Sequence, residues 1–206
     1  MPDGRSPRER VGWAEVMQMA GTAIVERGVA ELDLDELARA LDAEPAAVRY
    51  WFQSETALMS ALMRIRQQWF IEETWARLAP LATHSQKLRG LLEVCVADYD
   101  AGLWIELWKL ALRDERACET HQRLSDAYRD MIARVIRSGQ SAGEFGPASS
   151  ERVALTLTAL IAGLSVQATL KDRTVDAAYM LATCVAASER LLNGDLSGAA
   201  PAPVQP

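Results

Sequence analysis

Little in this chain of 206 residues is suited to covalent chemistry. Its three cysteines, Cys95, Cys118 and Cys184, are far apart and odd in number, so neither a disulfide framework nor a paired-cysteine zinc site is in view. Cysteines used this way fit a reducing compartment. The two histidines, His84 and His121, are isolated in sequence. There is no Gly-rich phosphate loop, no HExxH and no GxSxG, so the reading is that of a non-enzyme with no cofactor. Positive charge is short as well, with 22 Lys and Arg against 28 Asp and Glu and a net charge of −6. No polybasic surface for nucleic acid or membrane is evident. The opening MPDGRSPRERV has no apolar signal core, and no apolar run reaches the length of a membrane span. A cytoplasmic protein is expected.

What is present is helical periodicity, with half the residues apolar and therefore enough for a real core. The chain is organised around Asp33 to Leu58, DLDELARALDAEPAAVRYWFQSETAL. Asp33 and Glu36 form a capping box for a first helix carrying Leu34, Leu37, Ala38 and Leu41 at helical spacing. Asp42, Ala43 and Glu44 make a tight joint. Pro45 suits the first turn of a second helix, whose inward face is Val48, Trp51 and Phe52. Ser54 caps a third, longer helix that starts at Glu55. Helix, short turn and helix is the layout that puts a second helix into the DNA major groove.

These residues resemble the DNA-binding core of the tetracycline-repressor (TetR) family. The match is carried by Leu37-Ala38, by the run from Pro45 to Phe52, by Ser54 and Leu58, and upstream by Val16–Ala20 and Glu26-Arg27-Gly28. The stretch WKLALRDERACETHQRLSDAYRDMIARVIRSGQSAGEF is similar to the C-terminal domain of the BetI-like, choline-responsive branch. The resemblance implies an all-α protein of about nine helices. It would have an N-terminal three-helix helix-turn-helix domain and a C-terminal helical domain for ligand binding and dimerisation. The expected layout is a flexible arm over 1–9, the helix-turn-helix domain over 10–54, the ligand and dimer domain over 55–194, and a disordered tail over 195–206. By the same resemblance Pro45, Ala46, Ala47, Arg49, Tyr50 and Trp51 face operator DNA.

The segment departs from the family in charge. Asp33, Asp42, Glu44 and Glu55 stand where the family usually has Thr, Gly, Ser and Lys. Residues 33–58 hold six acids against two bases, Arg39 and Arg49, for a net of −4. Phosphate neutralisation by Lys and Arg supplies most non-specific DNA affinity, so this charge opposes binding. The arm, with Arg5, Arg8 and Arg10, is the remaining phosphate-binding segment or else a solvated terminus.

The rest of the chain reads as further helices. Residues 10–27 form an amphipathic helix with Trp13, Val16, Met17, Ala20, Ile24 and Val25 inward and Gly28 as its stop. A long helix runs from Glu55 to about Leu78 and is ended by Pro80. Lys87 to Ala101 and Leu103 to Leu112 follow, with Gly102 as the joint. Trp104 and Trp108, four apart, stack on one face as a pocket wall or as ordinary core. Trp69, Tyr99, Trp104, Trp108, Tyr128 and Gln167 are the candidate ligand residues, and an aromatic lining suits a small apolar or cationic effector. Asp114, Cys118 and His121 share one face of the helix over Glu115–Gln140. They read as a polar helix start facing water, or as metal ligands supported by spacing alone. Residues 151–170 and 175–192 are apolar nearly all round, with Ala178, Ala182 and Ala186 at close spacing. Such helices need burial on every side, and a second subunit is the expected cover.

Two functions follow. One is a ligand-responsive regulator, a repressor, that binds palindromic operator DNA as a homodimer through residues 151–192 and is released by its effector. The other keeps the fold but has lost DNA binding through its acidic head, acting as a ligand-binding co-regulator or an enzyme built in the old pocket.

Overall fold

The computed structural model describes residues 20–29, 34–40, 44–46, 53–97 and 101–196. All regular structure among them is helical: α1 (20–27), α2 (Leu34–Ala40), α3 (Glu55–Leu78), α4 (His84–Ala97), α5 (Ala101–Ala111), α6 (Glu115–Ser141), α7 (Ser150–Thr169) and α8 (Ala177–Leu192). Residues 45 and 46 are helical too. The all-α class is the one expected, and the count is close to the expected nine.

The helix ends follow from capping chemistry. Gly28 stops α1 in the left-handed region, with φ +91°, and its N–H donates to the Ile24 carbonyl at 2.8 Å. The Ser54 hydroxyl accepts from the Ala57 N–H at 3.1 Å and caps α3. Ser149 caps α7 by accepting from the Arg152 N–H at 3.3 Å, and Asp176 caps α8 by accepting from the Tyr179 N–H at 2.8 Å. Asp33, the expected cap of α2, lies outside the described residues.

The chain divides into two compact units. The first comprises residues 1–69 and 102–124. Its core is built from Ala20 and Ile24 of α1, Ala38 of α2, Leu58, Met59, Leu62 and Met63 of α3, Leu103 and Leu107 of α5, and Leu124 of α6. Gly21 lets α1 approach closely: a β-carbon there would sit 3.5 Å from Leu103 Cδ1 and 4.0 Å from Leu62 Cδ2. Met59 and Met63 are therefore packed core.

Two expectations change here. Gly102 is not a joint but lies in the first turn of α5, which begins at Ala101. Its missing side chain makes room for α1, since a β-carbon would meet Val25 Cγ1 at 2.8 Å. Val25 itself is 44% exposed rather than fully inward.

The second unit comprises residues 70–101 and 125–206. Leu78, Leu88, Leu91, Leu92 and Cys95 meet Met131, Ile132, Val135 and Ile136 of α6, Val153, Leu157 and Ile161 of α7, and Cys184 and Leu192 of α8. The loop after α6 ties several of these helices together. The Glu144 carboxylate accepts from the His84 N–H at 3.1 Å, from the Ser85 N–H at 2.9 Å and bonds His84 Nδ1 at 2.8 Å, so a residue 60 positions away caps α4. Gln140 Nε2 donates to the carbonyls of Gly146 and Ala148, both at 2.7 Å. Phe145, 6% exposed, is seated in a socket that Gly139 and Gly194 leave open.

Helix α7 is apolar as expected, and by length and composition it could cross a membrane. That differs from the expectation that no run reaches membrane-spanning length. Six of its residues, Ser150, Val153, Ala154, Leu157, Ile161 and Ser165, are buried in the unit. Its other face is open: Leu155 is 52% exposed, and Ala159 and Gly163 face solvent. On α8 the exposed residues include Ala178, Tyr179, Ala182 and Ala186. Both helices thus carry a stripe of small or apolar side chains spaced four apart and uncovered in the single chain.

Candidate functional site

Three groups of residues bear on function, and two of them lie within the first unit. The first group leads into α3. Asp35 and Glu36 occupy the first turn of α2, where carboxylates favour the helix N-terminus, and Arg39 its last turn. Glu44 is exposed, Pro45 is half-buried at the start of a helical segment, and Ala46 is exposed. Ala47, Arg49, Tyr50 and Trp51 lie outside the described residues. Two acids of the segment, Glu36 and Glu44, face solvent.

The second group is aromatic. Trp104 is 6% exposed and Trp108 half-buried, with ring centroids 6.3 Å apart. They share one face as the spacing predicts, but the rings are tilted by 42° rather than stacked. His121 joins them from α6, edge-on at 6.0 Å from Trp104 and 6.4 Å from Trp108. Edge-to-face rings at these distances attract through opposed quadrupoles. Trp69 is half-buried on α3 in the same unit. The other candidate ligand residues fall elsewhere. In the second unit Tyr128 packs on Phe70 at 5.1 Å, and Gln167 is exposed on α7. Tyr99 lies outside the described residues.

The third group is polar and joins α3 to α6. Thr56, 7% exposed, donates its hydroxyl to Asp114 Oδ2 at 2.9 Å. Ser60 and Thr120 share a hydrogen bond at 3.0 Å, and Gln67 Nε2 donates to the Leu124 carbonyl at 2.7 Å. Asp114 Oδ1 meanwhile accepts from the Arg116 N–H at 2.8 Å and the Ala117 N–H at 3.1 Å, capping α6. The Thr56 hydroxyl, then the Ala117 amide, hold the Asp114 carboxyl below its usual range despite some desolvation. An open cleft of about 640 Å³ runs beside this seam, lined by Ser54, Thr56, Ser60, Asp114, Glu119 and Arg123 among others.

The seam also shows what surrounds Asp114, Cys118 and His121, of which Asp114 and His121 meet protein groups rather than the water expected. Asp114 is occupied by three donors, Cys118 Sγ has Gln122 Nε2 at 3.7 Å, and His121 faces two indoles. Among the described residues no three His, Cys, Asp or Glu side chains are placed to hold a metal ion.

Among the described residues, short helices lead into a 24-residue helix and further helices follow it. The comparisons with known proteins identify the family. The family model for the C-terminal part of BetI-type transcriptional repressors matches residues 86–193, more than half of the chain. The chain belongs to the TetR family of regulators, in its BetI-type branch.

Solved structures agree on the fold. A candidate transcriptional regulator from Saccharomonospora viridis, crystallised with choline, aligns with a TM-score of 0.75 at 21% identity, covering 91% of this chain and 98% of that one. A TetR regulator from Haloarcula marismortui gives 0.72 at 21% identity, with 89% and 99% covered. A candidate TetR-family regulator from Rhodococcus sp. gives 0.73 at 22% identity, with 88% and 99% covered. No curated protein sequence matches the chain.

Proposed function

We propose that the protein is a ligand-responsive repressor that binds a palindromic operator as a homodimer and leaves it when a small apolar or cationic effector binds. The observation that carries this reading is the open face of α7 and α8. Leu155, Ala159 and Gly163 on one helix and Ala178, Ala182 and Ala186 on the other are exposed and spaced for close helix approach. Two copies meeting there form a twofold four-helix interface, which sets two heads on one palindrome. Pro45, Ala46, Ala47, Arg49, Tyr50 and Trp51 are assigned to the operator, over a helix-turn-helix segment ending at residue 54. Residues 55–194 are assigned to ligand binding and pairing.

The effector class rests on the aromatic residues. Indole faces attract a quaternary ammonium through cation–π contact, and the Saccharomonospora relative was crystallised with choline. Trp69, Trp104 and Trp108 of the first unit are assigned to the effector, and choline is the probe to try first. Light scattering on the purified protein tests the pairing. The wild type is expected to run at twice the chain mass, and Ala182→Glu, which sets a charge into the apolar face, at the chain mass. A wild-type monomer would overturn the reading.

A second reading is favoured by Glu36 and Glu44, both exposed. Carboxylates turned toward a phosphate surface repel it, and in this reading the head has given up DNA while the effector site is kept. Absence of DNA binding at low salt, with choline binding intact, selects this second reading.

A further inference from the structure

The seam between α3 and α6 is polar. Beside the Leu, Ile and Met side chains of the first unit's core, α3 and α6 are joined by three polar rungs at Thr56, Ser60 and Gln67. Apolar contacts are non-directional and tolerate small rotations. Hydrogen bonds weaken steeply when bent, so a polar rung fixes orientation more than it adds stability.

The first rung has the strongest claim to a role. Thr56 sits in the first turn of α3, two residues after the cap Ser54 and directly behind the helix-turn-helix segment. A helical threonine commonly returns its hydroxyl to its own backbone. Thr56 instead sends it to Asp114, 58 residues away in the chain. Asp114 is not free to follow a moving partner, because its other oxygen holds the first turn of α6 through two amides. One carboxylate therefore references the start of α3 to the start of α6. The rung also borders the cleft beside the seam, so water can replace either partner when it opens. A contact that is directional, anchored on one side and replaceable by water suits a part that sets a position and can be released.

We infer that the Thr56–Asp114 hydrogen bond is a positioning contact of the regulator: closed, it holds the first turn of α3, and the head it carries, in the DNA-competent orientation. This rests on the repressor reading above. Thr56 and Asp114 touch neither DNA nor effector in this account; they act through the direction in which α3 leaves the head.

The test compares Thr56→Val, which keeps the shape and deletes the donor, with Thr56→Ser, which keeps the donor. Gln67→Leu is the control within the same seam. Hydrogen–deuterium exchange on the full-length protein reads residues 55–60 directly. Loss of one hydrogen bond to a carboxylate is expected to speed their exchange about tenfold in Thr56→Val, with Thr56→Ser near wild type. Titration of the DNA lying immediately upstream of its own gene, at low salt, reads the consequence. Affinity is expected to fall several-fold in Thr56→Val and to be restored in Thr56→Ser, with Gln67→Leu close to wild type. Unchanged exchange in Thr56→Val overturns the inference. So does faster exchange with unchanged DNA affinity, or an equal loss in Gln67→Leu, since either makes the rung plain support. If the wild type shifts no DNA, the repressor reading fails on its own, and the exchange data still decide whether the rung holds α3.

Discussion

Replacing Gly139 by alanine puts a methyl group where Phe145 already is. Gly139 lies near the end of α6, and a β-carbon built on it falls inside the van der Waals envelope of Phe145 Cδ2 and Cε2 and 3.0 Å from His84 Cβ. The ring has little room on its other side, where Gly194 stands: a β-carbon built there would lie 3.0 Å from Phe145 Cδ1. The helix gains about 1 kcal/mol from exchanging Gly for Ala in its interior. Against this stands either overpacking, about 1–3 kcal/mol, or expulsion of a ring whose burial is worth about 3–5 kcal/mol. Expulsion also drags Glu144, the neighbouring cap of α4, off His84 and Ser85. Because the cheaper response prevails and the clash is severe, the expected net is a loss of about 1–2 kcal/mol, a sizeable part of the stability of a typical domain. Urea unfolding followed by far-UV circular dichroism measures it, at one fixed protein concentration because pairing couples to folding. The control is Gly143→Ala, where nothing lies within 4 Å but φ is +75°, so its cost is backbone strain of about 1 kcal/mol without loss of the Phe145 socket. A Gly139→Ala protein as stable as wild type, or more so, would refute the socket argument.

Three further outcomes are expected. Partial burial pushes the Glu144 carboxyl up, but the His84 amide, the His84 ring and the Ser85 amide outweigh it and hold the pKa at about 2 against an ordinary 4.5. A depressed carboxyl stabilises the fold fully above the unfolded value. That contribution, about 1–2 kcal/mol once solvent screening is allowed for, is therefore lost as pH falls from about 4.5 toward 2. Unfolding midpoints across that window should drop for wild type and drop less for Glu144→Gln; parallel curves would contradict the cap. Gly102→Ala should cost about 1 kcal/mol by pressing on Val25, and Val25→Ala added to it should recover most of that loss in a thermal-shift series; additive losses would contradict the contact. The Thr74 hydroxyl is fully buried with no hydrogen-bond partner among the described residues, so Thr74→Val should raise the midpoint by about 1 kcal/mol equivalent; a clear destabilisation would mean that the hydroxyl is satisfied.

Residues that act on their own neighbours in the chain are legible in the sequence alone. Ser54, Ser149, Gly28 and Pro80 end or begin helices through groups within four positions of themselves, and those boundaries lie where local chemistry puts them. Trp104 and Trp108 meet for the same reason, being one helical turn apart. What stays hidden depends on partners distant in sequence. Glu144 caps α4 from 60 positions away, Thr56 reaches Asp114 across 58, and neither pair leaves a period or a spacing to detect. Gly102 shows how a local rule misleads. A glycine between two apolar stretches reads as a joint, but here it is the flat spot on α5 that admits Val25 of α1. The Asp114 cap could have been anticipated, since an Asp one residue ahead of Glu115 at a helix start is a capping signal. Its second partner could not.

The central claim is that one paired protein holds an operator and lets it go when its effector binds. Fluorescence anisotropy of labelled DNA from immediately upstream of its own gene, titrated with the protein at low salt with and without choline, tests it most directly. The account predicts saturable binding by two chains per palindrome, weakening with added salt and weakening again with choline. No binding at the lowest salt, or binding that choline leaves unchanged while calorimetry shows choline bound, would contradict it.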